Sequence, residues 1–194
     1  MTKINYPTEQ EMFWSGEFGD DYVERNNTDV MVDSNIELFD QIMKSTNDVN
    51  SIIELGCNTG LNLRALQRIN PKLELTGYDI NEKSLSVART STAASIINAS
   101  IIGELTHGAQ VDLTFTKTVL IHINPDFLQN VYDNLFKLSK RYIMVAEYYN
   151  PYPVKVPYRD NIDKLFKRDF AGELIDRFGL KLADYGFVYH RDVF

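Results

Sequence analysis

The sequence predicts an α/β fold built on a doubly wound, mostly parallel sheet, and three observations carry the prediction. Strand-like and helix-like patterns alternate without a break after residue 50, the first strand pattern runs straight into a glycine turn, and an acid stands at the end of each of the first two strands. The 194 residues suffice for one sizeable core. By texture the chain divides into residues 1–50, polar, aromatic and helical in period, and residues 51–194, which hold the alternation.

Taken in order, Ile36, Phe39, Ile42 and Met43 share one helical stripe in the first segment. Strands are expected at Ser51–Leu55, Leu73–Tyr78, Ser95–Ala99, Val111–Thr116, Tyr142–Glu147 and Leu180–Tyr189. Helical patterns fall between them. Leu63, Leu66 and Ile69 are in phase over Leu61–Ile69, a second helix covers Glu82–Thr90, and Leu128, Val131, Leu135 and Leu138 line up over Pro125–Leu138. Asn124 is placed to cap that helix, with proline in the first turn where a backbone N–H would be unpaired anyway. The last helix, Asp169–Phe178, stops at Gly179.

Composition excludes several classes. No apolar run approaches the length that spans a bilayer, the N-terminal MTKINYPTEQEMFW has no apolar signal core, and the single Cys57 cannot form an internal disulfide. A cytoplasmic chain with no membrane partner is expected, in which the N-x-S/T matches at Asn26 and Asn98 are chance. Net charge is −7, and the one basic concentration, Lys164, Lys167 and Arg168, is interleaved with Asp163, Asp169 and Glu173. Such a surface repels a phosphate backbone, so no nucleic-acid partner is expected.

In a doubly wound sheet, ligands bind beyond the carboxyl ends of the strands where strand order reverses, which is where SIIELGCNTGLN (51–62) lies. A dinucleotide loop needs G-x-G-x-x-G so that the backbone can approach a pyrophosphate, and here Asn58 holds the middle glycine position. A phosphate loop ending in Lys-Ser/Thr is ruled out by the missing lysine. What remains is a carboxylate, Glu54, a turn over Gly56 and Gly60, and a second carboxylate, Asp79, 25 residues after the first, suited to two ribose hydroxyls. Those features describe a pocket for a cationic nucleoside rather than a polyanion.

ELGCNTG followed by GYDI resembles the first two motifs of class I S-adenosylmethionine-dependent methyltransferases, over residues 50 to 190 in element order. EQEMFWSGEFGDDYVERN, KTVLIHINP, AEYYNP, LFKRDFAGEL and YGFVYHRD further resemble the methylases of pseudaminic acid and related nonulosonic-sugar biosynthesis clusters. The likeness implies S-adenosylmethionine as cofactor, S-adenosylhomocysteine as product, no metal, and a small-molecule acceptor methylated on O or N by direct displacement. It implies that Glu54, Gly56, Cys57, Asn58 and Gly60 form the cofactor loop, Cys57 through its backbone. Glu54 either orients that loop or sits near the methionyl ammonium. Asp79 holds the ribose with Ile80 against the adenine, Ala99 and Ser100 approach the adenine edge, and Thr116 and Lys117 lie by the methionine.

Candidates for proton removal are His122, Glu147 and Tyr149, with His190 also considered, although a lone His beside an apolar strand is as readily a packing residue. Acceptor contacts are expected from Tyr148, Arg159, Arg168 and His190, arginines being suited to carboxylate or phosphate. Arg168-Asp169 reads equally as a capped helix start. Trp14 and Tyr22, ahead of Arg25, fit either an acceptor-binding lid or aromatics that pin the first segment to the sheet. The family sheet has seven strands and this sequence ends just after the sixth, so a six-stranded sheet with an incomplete edge and a tendency to form a homodimer is expected. A nicotinamide reductase is excluded by Asn58; a non-catalytic nucleoside-binding module stays open as the alternative.

Overall fold

The structure, a computed structural model, describes residues 6–25 and 28–192; Asn26, with its chance sequon, and the outermost residues of both sequence divisions lie outside that set. Five parallel strands form the main sheet in the order β3-β2-β1-β4-β5: β1 (Ser51–Leu55), β2 (Glu74–Asp79), β3 (Ser95–Asn98), β4 (Val111–Lys117) and β5 (Ser139–Ala146). Strand order reverses between β1 and β4, which pair directly through Ile52–Glu54 and Leu113–Phe115. This is the doubly wound arrangement expected, and it opens its crevice beside β1.

Both faces of the sheet are covered, which is why its central strands read as nearly unbroken apolar runs. Alternation assigns the sides: Ile52 and Leu113 pack with Val32, Phe39, Leu63, Leu66 and Leu85, whereas Ile53 and Leu55 pack with Val131, Leu135, Phe170 and Leu174. The first side is closed by α3 (Asp29–Met43), α4 (Leu61–Ile69) and α5 (Glu82–Ser91), the second by α6 (Leu128–Leu138) and α7 (Phe170–Phe178). The predicted stripe on α3 buries Phe39, whose ring meets Phe115 edge-on at 5.4 Å.

The helix ends follow the expected chemistry. Asn124 accepts the Asp126 N–H at 3.0 Å, but Pro125–Phe127 forms a 3₁₀ turn before α6 begins at Leu128. Asp169 caps α7 through the Gly172 N–H at 2.9 Å, and Gly179 ends it with φ of 62°. Two short helices precede the sheet, α1 (Glu9–Ser15) and α2 (Glu17–Arg25), with Thr8 accepting the Glu11 N–H at the start of α1. They contact Asn81, Ser100 and His122, all just past the ends of β2, β3 and β4, and Tyr6 ahead of them reaches Ile80, so they lie across the carboxyl edge of the sheet.

The expected sixth strand at Leu180–Tyr189 is not one. After α7 the chain runs extended without a ladder partner, and Leu182, Tyr185 and Phe187 are exposed. Its aromatic and β-branched composition marks propensity for a strand, yet a strand requires an edge to pair with, and among the described residues its side-chain ties to the body include Leu180 against the core and Ser45 to Asp184. Instead, the tyrosine-rich loop after β5 holds a small antiparallel pair, β6 (Val154–Lys155) with β7 (Phe166–Lys167).

Candidate active site

The turn after β1 is held in an unusual conformation for a reason visible in its contacts. Gly56, Asn58 and Gly60 all have positive φ, at 85°, 46° and 78°. A Cβ on Gly56 would also stand 2.5 Å from the Val119 side chain, so this position excludes every larger residue. The Gly56 and Cys57 amides both donate to the Tyr78 carbonyl, at 2.8 and 2.9 Å, which ties the turn to β2. Asn58 manages the left-handed region without being glycine because its side-chain oxygen accepts the Thr59 N–H at 2.8 Å. The Cys57 thiol is buried against Gly77 and pushed well above its ordinary pKa by burial, so it serves packing.

Asp79, at the end of β2, gathers the amides of Asn58 (2.8 Å), Ile80 (2.7 Å) and Asn81 (3.0 Å). Burial raises its pKa and those three donors work against the rise. Next to it the ends of β1, β4 and β5 bring three ionisable groups together. Glu54 is fully buried and takes one bond from the Asn62 amide at 2.5 Å, and burial pushes it up to about 8. Glu147 accepts the Val119 and Leu120 amides at 2.9 and 3.0 Å, and burial pushes it up to about 7. Lys117 feels both carboxylates, but burial holds it below the usual ammonium range.

Several buried polar atoms here lack a partner: Glu54 Oε2, Thr59 Oγ1, Asn62 Oδ1, Thr116 Oγ1, Glu147 Oε2 and Trp14 Nε1. Thr116 lies close enough to Glu147 to lower its pKa although the pair completes no hydrogen bond. Unpaired buried groups are costly and mark a place where a polar ligand supplies what is missing. An orphan carboxylate oxygen on Glu54 suits an ammonium, and the Asp79 carboxylate suits a diol. The set fits the methionyl and ribose parts of S-adenosylmethionine.

His122 ends a 3₁₀ turn, Leu120–His122, just beyond β4. Its Nδ1 lies 2.6 Å from the Lys164 carbonyl, which can only accept, so Nδ1 carries the proton and Nε2 is the free acceptor. Burial lowers its pKa to about 4. The ring packs against Trp14 at 4.6 Å and Tyr158 at 5.0 Å, and Trp14 meets Tyr22 edge-on at 5.4 Å. α1 and α2 thus place aromatic rings over the end of β4.

The remaining candidates divide. The Ala99 amide donates to the Asp79 carbonyl, and the Ser100 hydroxyl is engaged by Glu11 of α1. Tyr148 and Tyr149 are exposed, with Lys167 over the Tyr148 ring at 5.1 Å. Arg168 is not gathered into this cluster as a free cation: it pairs with Glu173 at 3.1 Å beside the Asp169 cap, the helix-start alternative. His190 meets Tyr189 edge-on at 4.3 Å in the exposed C-terminal segment. A cleft of about 380 Å³ lined by Gln10, Asn124, Lys155 and Asp163 shares no residue with the set. Among the described residues no group of three His, Cys, Asp or Glu could hold a metal ion.

Residues 52–141 match the profile of a family described as "Methyltransferase domain". Solved structures share the chain's fold. The S-adenosylmethionine-bound amino pentose methyltransferase CalS10 from Micromonospora echinaspora, involved in calicheamicin biosynthesis, superposes with a TM-score of 0.56 at 14% identity, covering 74% of this chain and 64% of that one. The methyltransferase domain of bacterial CtHen1 gives 0.57 at 16% identity, covering 77% and 86%. DesVI from Streptomyces venezuelae gives 0.54 at 13%, covering 79% and 67%. The chain therefore spans just under two thirds of CalS10. No curated protein matches it in sequence. Among its described residues no helix is long and apolar enough to cross a membrane.

Proposed function

We propose that the protein transfers a methyl group from S-adenosylmethionine to an oxygen or nitrogen of a small polar metabolite, of the nonulosonic-sugar type or a precursor of one. The observation that supports this most is the convergence of the glycine turn, Asp79 and the half-satisfied Glu54 at the carboxyl ends of β1 and β2, beneath the rings of α1 and α2. Asp79 holds the ribose diol, with Ile80, Ala99 and Ser100 around the adenine, while Glu54, Thr116 and Lys117 receive the methionyl end. The cofactor supplies an electrophilic methyl carbon. The chain's own contribution is to hold the acceptor in line with it and to exclude water.

His122 Nε2 is the best placed of the proton acceptors, because Nδ1 is committed to Lys164 and the ring faces Trp14 and Tyr158. Glu147 braces the 3₁₀ turn that carries His122 and so acts as a positioning residue. The sugar-like acceptor is favoured by the sequence resemblance and agrees with CalS10 being described as an amino pentose methyltransferase. Calorimetry with S-adenosylmethionine, followed by assay of S-adenosylhomocysteine formation against a panel of sugar acids and amino sugars, tests the reading. Absence of cofactor binding would sink it, and binding without turnover of any acceptor would favour a non-catalytic module.

A further inference from the structure

We propose that the acceptor is an anion, a carboxylate or phosphate ester, gripped by Arg25 and Arg159 at the rim of the aromatic cluster of Trp14, Phe18, Tyr22 and Tyr158. The inference rests on the reading of this end of the sheet as the transfer site and narrows its substrate. It begins from where the chain's arginines find counter-charges. Arg64, Arg68, Arg89, Arg141, Arg168 and Arg177 each pair with an acid. Arg25 and Arg159 have no carboxylate partner among the described residues, in a chain whose net charge is −7. The third such arginine, Arg191, lies in the exposed C-terminal segment.

The two unpaired cations occupy one neighbourhood. Arg25 ends α2 and sets its guanidinium 5.7 Å over the Phe18 ring, and that ring lies 6.0 Å from Tyr158, the residue before Arg159. Both guanidiniums act on the Tyr22 phenol, lowering a pKa that burial and neighbouring phenols raise. On α2, Asp20 already accepts from Asn81 and Glu24 from Lys83.

The backbone that presents Arg159 is itself strained. Tyr158 and Asn161 exchange two amide–carbonyl bonds of 2.9 Å, closing a two-residue turn in which Arg159 and Asp160 have φ of 46° and 64°. Such turns want glycine or asparagine, and a residue with a long side chain there carries a conformational cost. The strain sets an arginine beside the aromatic rings. Arginine's planar fork matches carboxylate and phosphate, and rings beneath it strip water from the pair. A cationic acceptor would be repelled at this rim, and a neutral one would leave two charges unanswered.

The test is ligand-observed NMR titration of the full chain with D-glucuronate, D-glucose 6-phosphate and neutral D-glucose, each with and without S-adenosylhomocysteine. The expected result is that at least one anion binds about tenfold or more tightly than glucose, the discrimination one charge-assisted contact gives. Which anion binds identifies the head group. In the double variant R25A/R159A the preference disappears while near-ultraviolet circular dichroism stays native, and R191A behaves as the wild type. The proposal is overturned if neither anion binds at tens of millimolar, if glucose binds equally, or if R25A/R159A keeps the preference. A chain that fails to bind S-adenosylhomocysteine sinks the transferase reading instead, because the sugar comparison is also made without it.

Discussion

Asp79 accepts three backbone amides from two different turns, so it shapes the turn after β1, and under the proposed reading it also presents charge to the cofactor. Asp79→Asn removes the charge and can keep an acceptor for Ile80 and Asn81, but its amide nitrogen then faces the Asn58 N–H. Its affinity for S-adenosylmethionine is expected to fall by about tenfold or more in calorimetry, the value of a charge-assisted pair. Asp79→Ala strands the Asn58, Ile80 and Asn81 amides and should lower the melting temperature as well. Glu54 offers a second reading at this scale. Held up at about 8, it is mostly protonated at pH 7, and a methionyl ammonium beside it favours the carboxylate. Cofactor binding at pH 7 should therefore release close to one proton, seen as a dependence of calorimetric heat on buffer ionisation enthalpy and lost in Glu54→Gln. Equal heats in phosphate and Tris would contradict the placement of the ammonium. The placement of Glu54, Gly56 and Asp79 at the ends of β1 and β2 and in the turn between was legible because spacing within one βαβ unit fixes it. Asn62 against Glu54 and Tyr158 against His122 were not, since those contacts join positions whose proximity only the folded chain creates.

Between elements, the joint that matters is Asn81. Its side-chain oxygen caps α5 by accepting the Ser84 N–H at 2.8 Å, while its amide donates to the Trp14 carbonyl at 3.1 Å and to Asp20 at 2.8 Å. Asn81→Asp preserves the cap, because both residues accept well there, but it removes the donor and sets a carboxylate against Asp20. The expected outcome is amide exchange about tenfold faster in α1 and α2 with α5 unchanged, and a stability loss of roughly 1–2 kcal/mol. Unchanged exchange over residues 9–25 would show that other contacts hold the two helices down. The central strands β1 and β4 were readable because their buried runs face both sides of the sheet, and the stripe on α3 because its period is helical. Leu180–Tyr189 was misread because periodicity and composition report what a segment tolerates, whereas a ladder depends on a free edge in reach. The β6–β7 pair escaped notice for the converse reason: two residues a side are too few to show any period.

Over the whole molecule, buried ionisable groups give stability an uneven dependence on pH. Glu54 and Glu147 are carboxyls raised to about 8 and about 7, so the folded chain keeps their protons where the unfolded chain has lost them. Stability then falls as pH rises from the ordinary carboxylate range through those values. His122 works oppositely. Its folded pKa of about 4 lies below the unfolded 6.5, so the unfolded chain binds the extra proton between those values and stability climbs with pH there. Up to pH 6.5 the histidine offsets much of one carboxyl's loss, and above it the offset ends. Lys117, depressed by burial, adds a rise only once pH passes its folded pKa. The unfolding free energy of the apo chain should accordingly drop most steeply between about pH 6.5 and 8, by roughly 2 kcal/mol on the linkage slope. Urea titrations at fixed ionic strength measure it. Glu54→Gln with Glu147→Gln should flatten this limb and, with the carboxyls' loss gone, leave the climb that His122 gives between about pH 4 and 6.5 unopposed. A wild-type curve level from 6.5 to 8 would mean that these two carboxyls are ionised in the folded protein, and with them would go the expected proton release on cofactor binding.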